Sequence, residues 1–340
     1  MNSYERLFAR MAGKPVDRVP NNCIIMGFGA KYIGASYREF VTDYKVLTEA
    51  AIRCREDFDI DILSAISDPM REAEGFGATV VFPENGVPYA PVPFVSDIED
   101  ISKVKVYHPE SCRRTYDRIL AVQRMAEYAK KECAVQGWVE GAFAEACDLR
   151  DINEMMLDII QEPEASKELL EICTEQAIKF AVAQIRAGAD IIGVGDAATS
   201  LIGPTLYEEF GLPYEKRIIE AIHREGAKAK LHICGNINPM FEPILSSGAD
   251  IIDCDWMVDF RRANMEFGNK ASFCGNFDPV AILLEGSTRD VADAVLKCLE
   301  ESSSTTIISA GCEVPNETPL ENLKMVAEML KKQNSQIEAQ

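Results

Sequence analysis

The strongest chemical signal in the 340-residue sequence is the pair His232 and Cys234, separated by one residue. In a β-strand, residues i and i+2 point to the same face, so a strand ending here presents an imidazole and a thiol side by side. Cys312 closes another candidate strand. Two cysteines and one histidine are a ligand set for catalytic zinc, which keeps a fourth position open. The alternative is that His232 is a satisfied core histidine and both cysteines are small buried hydrophobic residues.

Three acidic residues lie at or near the carboxyl ends of other candidate strands and are predicted to serve the same site as catalytic groups. Asp196, Glu140 and Asp255 each end an apolar run, where a carboxylate can bind substrate or act as a general acid or base. Each also has a structural alternative. Asp196 suits the N-cap of a helix, and Glu140 could pair with a basic side chain.

These side chains need a scaffold that brings the ends of several strands together. Short apolar, β-branched runs bounded by Gly, Pro or Asp are typical of strands buried on both faces. Amphipathic helical patterns lie between them, including residues 164–188, 207–226 and 291–301. The candidate strands are residues 19–26, 60–66, 134–140, 190–195, 229–234, 251–256, 271–276 and 305–310.

This alternation predicts an α/β fold, a TIM (β/α)8 barrel whose functional residues lie at the carboxyl ends of the strands. A doubly wound open sheet is the alternative, although residues 26–30 match its Gly-rich phosphate loop poorly. Without a dividing linker, residues 1–340 are predicted to form one domain. Residues 4–11 form a lead-in helix in this interpretation. Residues 68–110 form a long excursion with a hairpin near Asn85-Gly86.

Composition restricts the partners and the compartment. The chain has 35 Lys and Arg against 55 Asp and Glu, a formal charge of −20, which disfavours binding to nucleic acid or to an anionic membrane surface. Eleven irregularly spaced cysteines do not form a disulfide framework. No run reaches the length of a membrane span, and the amino terminus lacks a secretory signal. We therefore expect a reduced cytoplasmic protein, with Cys254 and Cys274 in the core.

Several motifs resemble the uroporphyrinogen decarboxylase superfamily along nearly the whole chain. Residues 13–20 are similar to its entry segment, residues 66–77 to its second-strand region and residues 204–214 to its middle signature. The resemblance implies a TIM barrel, in agreement with the strand pattern.

The decarboxylase branch of that superfamily has features that this sequence lacks. Its Arg-Gln-Ala-Gly-Arg-Tyr motif uses two arginines to hold the carboxylates of a porphyrinogen, and Gly27 and Lys31 stand at those positions here. Lysine is a point charge and cannot replace a bidentate guanidinium. The Gly-His-Gly element near the last strand is Gly311-Cys312-Glu313 in this chain. Both differences disfavour decarboxylation.

The other branch, the corrinoid-dependent methyltransferases, matches better. It carries His-x-Cys in the fifth-strand region and a second cysteine in a Gly-Cys-Glu-hydrophobic-Pro segment, which correspond to His232, Cys234 and Cys312. The resemblance implies Zn²⁺ bound by these three residues. It also implies a corrinoid (cobalamin) cofactor on a partner protein, since the sequence shows no cobalamin-binding unit. Asn276, Met26 and Phe28 are predicted to lie at the cofactor.

The expected reaction moves a methyl group between a small donor and the partner's corrinoid. An O-demethylase type of reaction with a methoxylated aromatic donor is favoured if Met26, Phe28, Phe143 and Trp256 form an apolar wall; ordinary core packing is the alternative. The opposite direction, a methylcobamide:thiol transfer of the coenzyme M type, remains open. Further alternatives are a decarboxylase, a closed zinc site with four protein ligands, and a thiol methyltransferase without corrinoid. The oligomeric state is open, with a homodimer as one option.

Overall fold

The computed structural model describes residues 1–337 and centres on seven parallel strands. Each strand pairs with the next one in the sequence, so the sheet order runs from β1 to β7 without reversal. A doubly wound sheet would reverse its strand order. The strands are β1 (Ile62–Ser64), β2 (Ala134–Glu140), β3 (Ile191–Gly195), β4 (Lys228–Ile233), β5 (Ile251–Cys254), β6 (Ser272–Phe277) and β7 (Ile307–Ala310).

Residues 20–24 join the first and last of these strands. The Asn21 carbonyl accepts a hydrogen bond from the Asp61 amide at 2.8 Å, and the Asn22 amide donates to the Ile308 carbonyl at 2.9 Å. The sequence predicts a regular strand over residues 19–26, whereas the structure has only isolated bridges, from Asn21 to Ile308 of β7 and from Ile24 to Glu313 beyond that strand. Pro20 has no amide hydrogen to donate to a ladder. The predicted TIM-barrel fold is confirmed, with this segment in the place of an eighth strand.

Helices separate successive strands, four more precede β1 and one follows β7. A helix predicted over residues 207–226 is two helices, because the chain bends at Gly211 and continues through Pro213, which cannot donate a helical hydrogen bond. The α-helices are α1 (Ser3–Met11), α2 (Gly27–Tyr32), α3 (Tyr37–Thr42), α4 (Tyr44–Phe58), α5 (Met70–Phe76), α6 (Arg113–Ala129), α7 (Ala142–Arg150), α8 (Ile152–Gln161), α9 (Pro163–Arg186), α10 (Gly203–Phe210), α11 (Leu212–Arg224), α12 (Phe241–Leu245), α13 (Phe260–Phe267), α14 (Thr288–Glu300) and α15 (Leu320–Ile337).

Short helical turns occupy the connections. The predicted hairpin in the long excursion is present, because Val81 and Tyr89 exchange backbone hydrogen bonds of 2.9 and 3.2 Å around Asn85-Gly86. Ala197–Leu201 is a 3₁₀-helix that follows β3 and begins directly after Asp196. The remaining turns are 3₁₀-helices at Ile98–Lys103, Pro109–Ser111 and Asn238–Met240 and a π-helix at Pro279–Leu284.

The lead-in helix α1 closes the amino end of the barrel. Asn2 caps it by accepting a hydrogen bond from the Glu5 amide at 2.8 Å. Leu7 is fully buried and packs in one cluster with Ile62, Ile191 and other residues near the amino ends of the strands. The carboxyl ends are therefore the accessible face of the barrel.

The cysteines divide by burial. All eleven are free, and eight of them, including Cys254 and Cys274, are buried as expected for core residues. Cys112, Cys234 and Cys312 are partly exposed. Within residues 1–337, no helix is both long enough and apolar enough to cross a membrane.

Candidate metal centre

The three predicted metal ligands meet at the carboxyl end of the barrel. His232 lies near the end of β4, Cys234 directly follows that strand, and Cys312 lies two residues beyond the end of β7. Their ligand atoms all lie within 4.8 Å of one another, and Nε2 of His232 is 3.1 Å from Sγ of Cys234. His232 is buried and both cysteines are partly exposed, so the cluster faces the mouth of the barrel.

The two thiols and the imidazole interact as one ionisable group. A hydrogen bond from Cys234, together with His232, lowers the pKa of Cys312 to about 4. The same hydrogen bond, with burial, raises the pKa of Cys234 well above its ordinary value. Burial alone would lower the pKa of His232, but hydrogen bonds to Asp253 and Cys312 raise it to about 10. A metal cation would replace the protons that these groups share.

His232 is held from two sides. Its Nδ1 lies 3.1 Å from Oδ2 of Asp253, which is the residue opposite it on β5. The centroid of the Trp138 indole, on β2, is 5.9 Å from that of the imidazole. Gly193 and Gly195 of β3 leave the space in which the indole lies, since a Cβ on either would contact it. These contacts leave Nε2 of His232 directed toward Cys234.

The donor set fits Zn²⁺. One imidazole nitrogen and two thiolates are the zinc ligands of several catalytic sites, and a carboxylate on the remaining histidine nitrogen is the usual second support. Among residues 1–337, no fourth His, Cys, Asp or Glu ligand atom joins the group within 4.8 Å. A bound ion would keep an open position, unlike a closed structural site.

Asp255 connects the loops beside the cluster. Its Oδ2 accepts a hydrogen bond from the Gly235 amide at 3.0 Å, and its Oδ1 accepts one from the Met257 amide at 3.1 Å. Asn276 donates to the backbone carbonyls of Asp255 and Val258 at 3.2 and 2.9 Å. Both predicted site residues thus lie at the mouth, where they fix the turn after β5.

Glu140 lies at the end of β2 and is paired. Its carboxylate accepts a hydrogen bond from the buried Arg71 at 2.9 Å, and Arg71 also contacts Glu72 at 3.0 Å. Burial raises the pKa of Glu140 to about 7; the Arg71 charge opposes this rise and the Glu72 charge adds to it. The alternative that Glu140 pairs with a basic side chain matches this geometry.

Asp196 is fully buried behind the mouth. Its Oδ1 accepts a hydrogen bond from the Ala144 amide at 2.7 Å, in the first turn of α7. The residue before that helix is Gly141, which has no side chain to cap it, and a Cβ there would overlap the Asp196 carboxylate. Asp196 therefore caps a helix from outside, and burial raises its pKa to about 7.

The apolar residues expected around a substrate are divided between core and surface. Phe28 is only 2% exposed, packs against Tyr32 and Phe58, and presents no free ring face. Phe143 is fully buried, whereas Trp256 is 50% exposed. Met26 is partly buried beside Trp138.

Two cavities border the mouth. One of about 700 Å³ is lined by Trp256, Asn276 and Lys297 among others. The second, of about 620 Å³, is lined by Glu140, Tyr89 and residues of the Ala197–Leu201 turn. Neither lining includes His232, Cys234 or Cys312, so the cavities lie apart from the cluster itself.

The sequence reasoning missed three residues that support the cluster, Asp253, Lys230 and Trp138, and it also missed Arg71, which pairs with Glu140. The alternation along β4 places Lys230 on the same face as His232, so the sequence alone could have identified Lys230 as a neighbour of the site. The partnership with Asp253 depends on the register between β4 and β5, which pairs His232 with Asp253.

Comparisons with known proteins find methyltransferase and decarboxylase relatives along most of the chain. Methylcobamide:CoM methyltransferase MtbA of Methanosarcina mazei is 29% identical over 333 residues, covering 96% of this chain and 97% of the relative. The MtbA of Methanosarcina acetivorans is 30% identical over 334 residues, with coverage of 96% and 97%. The uroporphyrinogen decarboxylase of Carboxydothermus hydrogenoformans is 25% identical over 307 residues, with coverage of 87% and 85%.

The fold and the family model extend over the same length. A solved structure of a methyltransferase from Methanosarcina mazei has a TM-score of 0.88 at 22% identity, covering 98% of this chain and 99% of its own. The family model for uroporphyrinogen decarboxylase (URO-D) matches residues 2–333. Because this match includes nearly every residue, the protein belongs to the uroporphyrinogen decarboxylase (URO-D) family.

Proposed function

We propose that this protein is a zinc-dependent methyltransferase that moves a methyl group between a small molecule and the corrinoid of a partner protein. The observation that carries the proposal is the convergence of His232, Cys234 and Cys312 at the barrel mouth, with ligand atoms within 4.8 Å. The methyltransferase relatives match over 97% of their length. A porphyrinogen decarboxylase would require no metal and therefore no such cluster of metal ligands.

The chain's own residues provide the binding site. A Zn²⁺ held by His232, Cys234 and Cys312 would offer one open position, where it lowers the pKa of a thiol or polarises an ether oxygen. Asp253 orients His232, and Asp255 holds the loop that follows Cys234. The reacting molecule would lie between this cluster and the open mouth, where the methyl group can reach a docked corrinoid.

The direction toward a thiol acceptor has the better support. A methoxylated aromatic donor would need an apolar wall, and two of the four predicted wall residues, Phe28 and Phe143, are buried in the core. Two relatives with identities of 29% and 30% are named as methylcobamide:CoM methyltransferases. We therefore propose a methylcobamide:thiol methyltransferase first, with an O-demethylase type of donor as the second candidate because Trp256 remains exposed beside a cavity.

The partner would dock on the carboxyl face of the barrel. Exposed apolar side chains follow three strands there: Leu201 after β3, Trp256 and Met257 after β5, and Val280 after β6, with exposed fractions of 65%, 50%, 45% and 47%. Apolar groups at a concave opening are typical of a surface that a partner covers. They surround the mouth, so a corrinoid bound to the partner's surface could face the metal cluster.

Metal analysis tests the cluster. The purified wild-type protein should contain about one equivalent of zinc, and Cys312→Ala less than about half an equivalent. Cys112→Ala is the matched control, because Cys112 is also partly exposed but lies outside the cluster. Zinc content that is unchanged in Cys312→Ala would refute the site.

Two spectroscopic assays test the reaction and its direction. In the first, methylcob(III)alamin is incubated with small thiols and demethylation is followed by absorbance. In the second, cob(I)alamin is incubated with methoxylated aromatics. Thiol-dependent demethylation that is lost in Cys312→Ala supports the first candidate, and methylation of cob(I)alamin supports the second. Conversion of uroporphyrinogen by the metal-free protein, without either activity, would refute the proposal.

A further inference from the structure

A buried ion pair lies directly beneath the metal cluster. Nζ of Lys230 is 3.0 Å from Oδ1 of Asp253, and the two residues are 0% and 4% exposed. Oδ2 of the same carboxylate lies 3.1 Å from Nδ1 of His232. The barrel interior therefore contains a chain of contacts from Lys230 through Asp253 to His232.

Stability alone does not account for this pair. Removing a lysine and an aspartate from water costs about as much free energy as their attraction returns, so buried ion pairs contribute little net stability. The surroundings of Lys230 also include the buried thiols Cys23 and Cys274, and small apolar residues could fill the same space. The contact with His232 is the feature that an apolar replacement could not reproduce.

The geometry gives each member of the pair a separate task. Only one carboxylate oxygen of Asp253 faces His232, and Lys230 contacts the other. With both oxygens engaged, the carboxylate cannot rotate away from the imidazole. Trp138 limits the ring from another side, at 5.9 Å between centroids. An ionised Asp253 accepts a hydrogen from Nδ1, which leaves the Nε2 lone pair free.

We infer that Asp253 and Lys230 are positioning residues for the metal site: Asp253 fixes His232 with the hydrogen on Nδ1 and Nε2 toward the ion, and Lys230 fixes Asp253. This inference rests on the proposed zinc-dependent function. Removal of a comparable support lowers metal affinity about 10- to 100-fold in other proteins. We expect that range for Asp253→Ala, and a smaller loss for Asp253→Asn, whose amide oxygen can still accept the hydrogen.

Zinc affinity measured by competition with a chelating dye is the primary test, with no need for activity. The variants are Asp253→Ala, Asp253→Asn and Lys230→Met. Lys228→Met is the matched control, since Lys228 lies on the same strand and pairs with Asp250 at 2.7 Å but is exposed. If Lys230→Met does not fold, the double variant Lys230→Met with Asp253→Asn takes its place, because it removes both buried charges. The double variant should lose as much zinc affinity as is expected of Lys230→Met.

A second readout separates positioning from general structural support. The sequence has only three histidines, so ¹⁵N-histidine labelling gives an NMR spectrum with few signals. The zinc-loaded wild type should show a protected Nδ1–H for His232, and Asp253→Ala should lose it while His108 and His223 are unchanged.

The two proposals fail in different ways. Wild-type protein that binds no zinc would overturn the proposed function. Wild-type protein that binds zinc, with Asp253→Ala within about twofold of its affinity and an unchanged His232 signal, would overturn the positioning roles alone.

Discussion

Gly193→Ala should displace His232, the proposed metal ligand, through Trp138, which lies between them. A Cβ on Gly193 would lie 2.2 Å from Cε3 and 2.4 Å from Cζ3 of Trp138. Ordinary contact begins near 3.4 Å, so the indole must move by about 1 Å. Trp138 is 4% exposed and has His232 beside it. Since zinc ligands tolerate deviations of only about 0.2 Å, a shift of this size transmitted to His232 should weaken metal binding.

The energetic effect can be bounded. Overpacking of this kind costs about 1–3 kcal/mol, and replacing glycine by alanine in an accessible conformation returns about 0.4–1 kcal/mol through the unfolded chain. The net expectation is a loss of about 1–2 kcal/mol. Gly195→Ala is the matched control, because its Cβ would lie 2.9–3.2 Å from the same indole and needs a shift of only a few tenths of an ångström.

Three measurements check this prediction. Scanning calorimetry gives the loss of stability, and mass spectrometry gives the zinc content. Trp256→Phe leaves Trp138 as the single tryptophan, so fluorescence then reports its displacement. Trp138→Phe should relieve the clash, making the double variant with Gly193→Ala more stable than the sum of the single effects. A Gly193→Ala protein with wild-type stability and full zinc content would refute the reasoning.

Three further outcomes are expected. Burial would raise the pKa of Asp17, but its hydrogen bond with Arg6 at 2.7 Å lowers that pKa to about 2. Asp17→Asn should therefore lower the free energy of unfolding by about 1 kcal/mol at neutral pH. In denaturant titrations this difference should disappear as the pH falls through about 2, where Asp17 becomes protonated in the folded protein. Asp196→Ala removes the acceptor for the Ala144 amide and should cost about 1 kcal/mol in thermal unfolding, and Asp196→Asn less. Binding of the corrinoid partner should change only modestly with salt but weaken in Trp256→Ala, as calorimetric titration at two salt concentrations would show.

The fold was predictable because its strands are buried on both faces. Apolar runs such as residues 134–140 and 190–195 can only be covered by helices on one side and the barrel interior on the other. Residues 19–26 carry a similar pattern, yet the side-chain amide of Asn21 donates a hydrogen bond to the Phe58 carbonyl at 3.2 Å. This hydrogen bond and the missing amide hydrogen of Pro20 make the segment that replaces the eighth strand irregular. Neither effect changes the hydrophobic periodicity, so the pattern alone could not predict the irregularity.

The site could be predicted from the sequence only for residues that share a strand or lie at the end of a strand. His232 and Cys234 show their relation by alternation along the sequence. Three aspartates stand close together in and around β5, and the sequence does not reveal which one supports the histidine. Asp250 binds the exposed Lys228 at one end of the strand, whereas Asp253 lies inside the barrel. That distinction comes from strand register, which is a tertiary property.

The second cysteine is positioned by backbone packing rather than by a side-chain partner. Gly311, directly before Cys312, lies so close to the turn after β5 that a Cβ would come within 2.4 Å of the Trp256 amide nitrogen and 3.2 Å of Cα of Asp255. Asp255 in turn holds the Gly235 amide at 3.0 Å, directly after Cys234. The same turn therefore sets the positions of both cysteine loops. Because both carboxylate oxygens of Asp255 accept hydrogen bonds from backbone amides, we propose that Asp255 serves the metal-dependent reaction by fixing the distance between the two thiols.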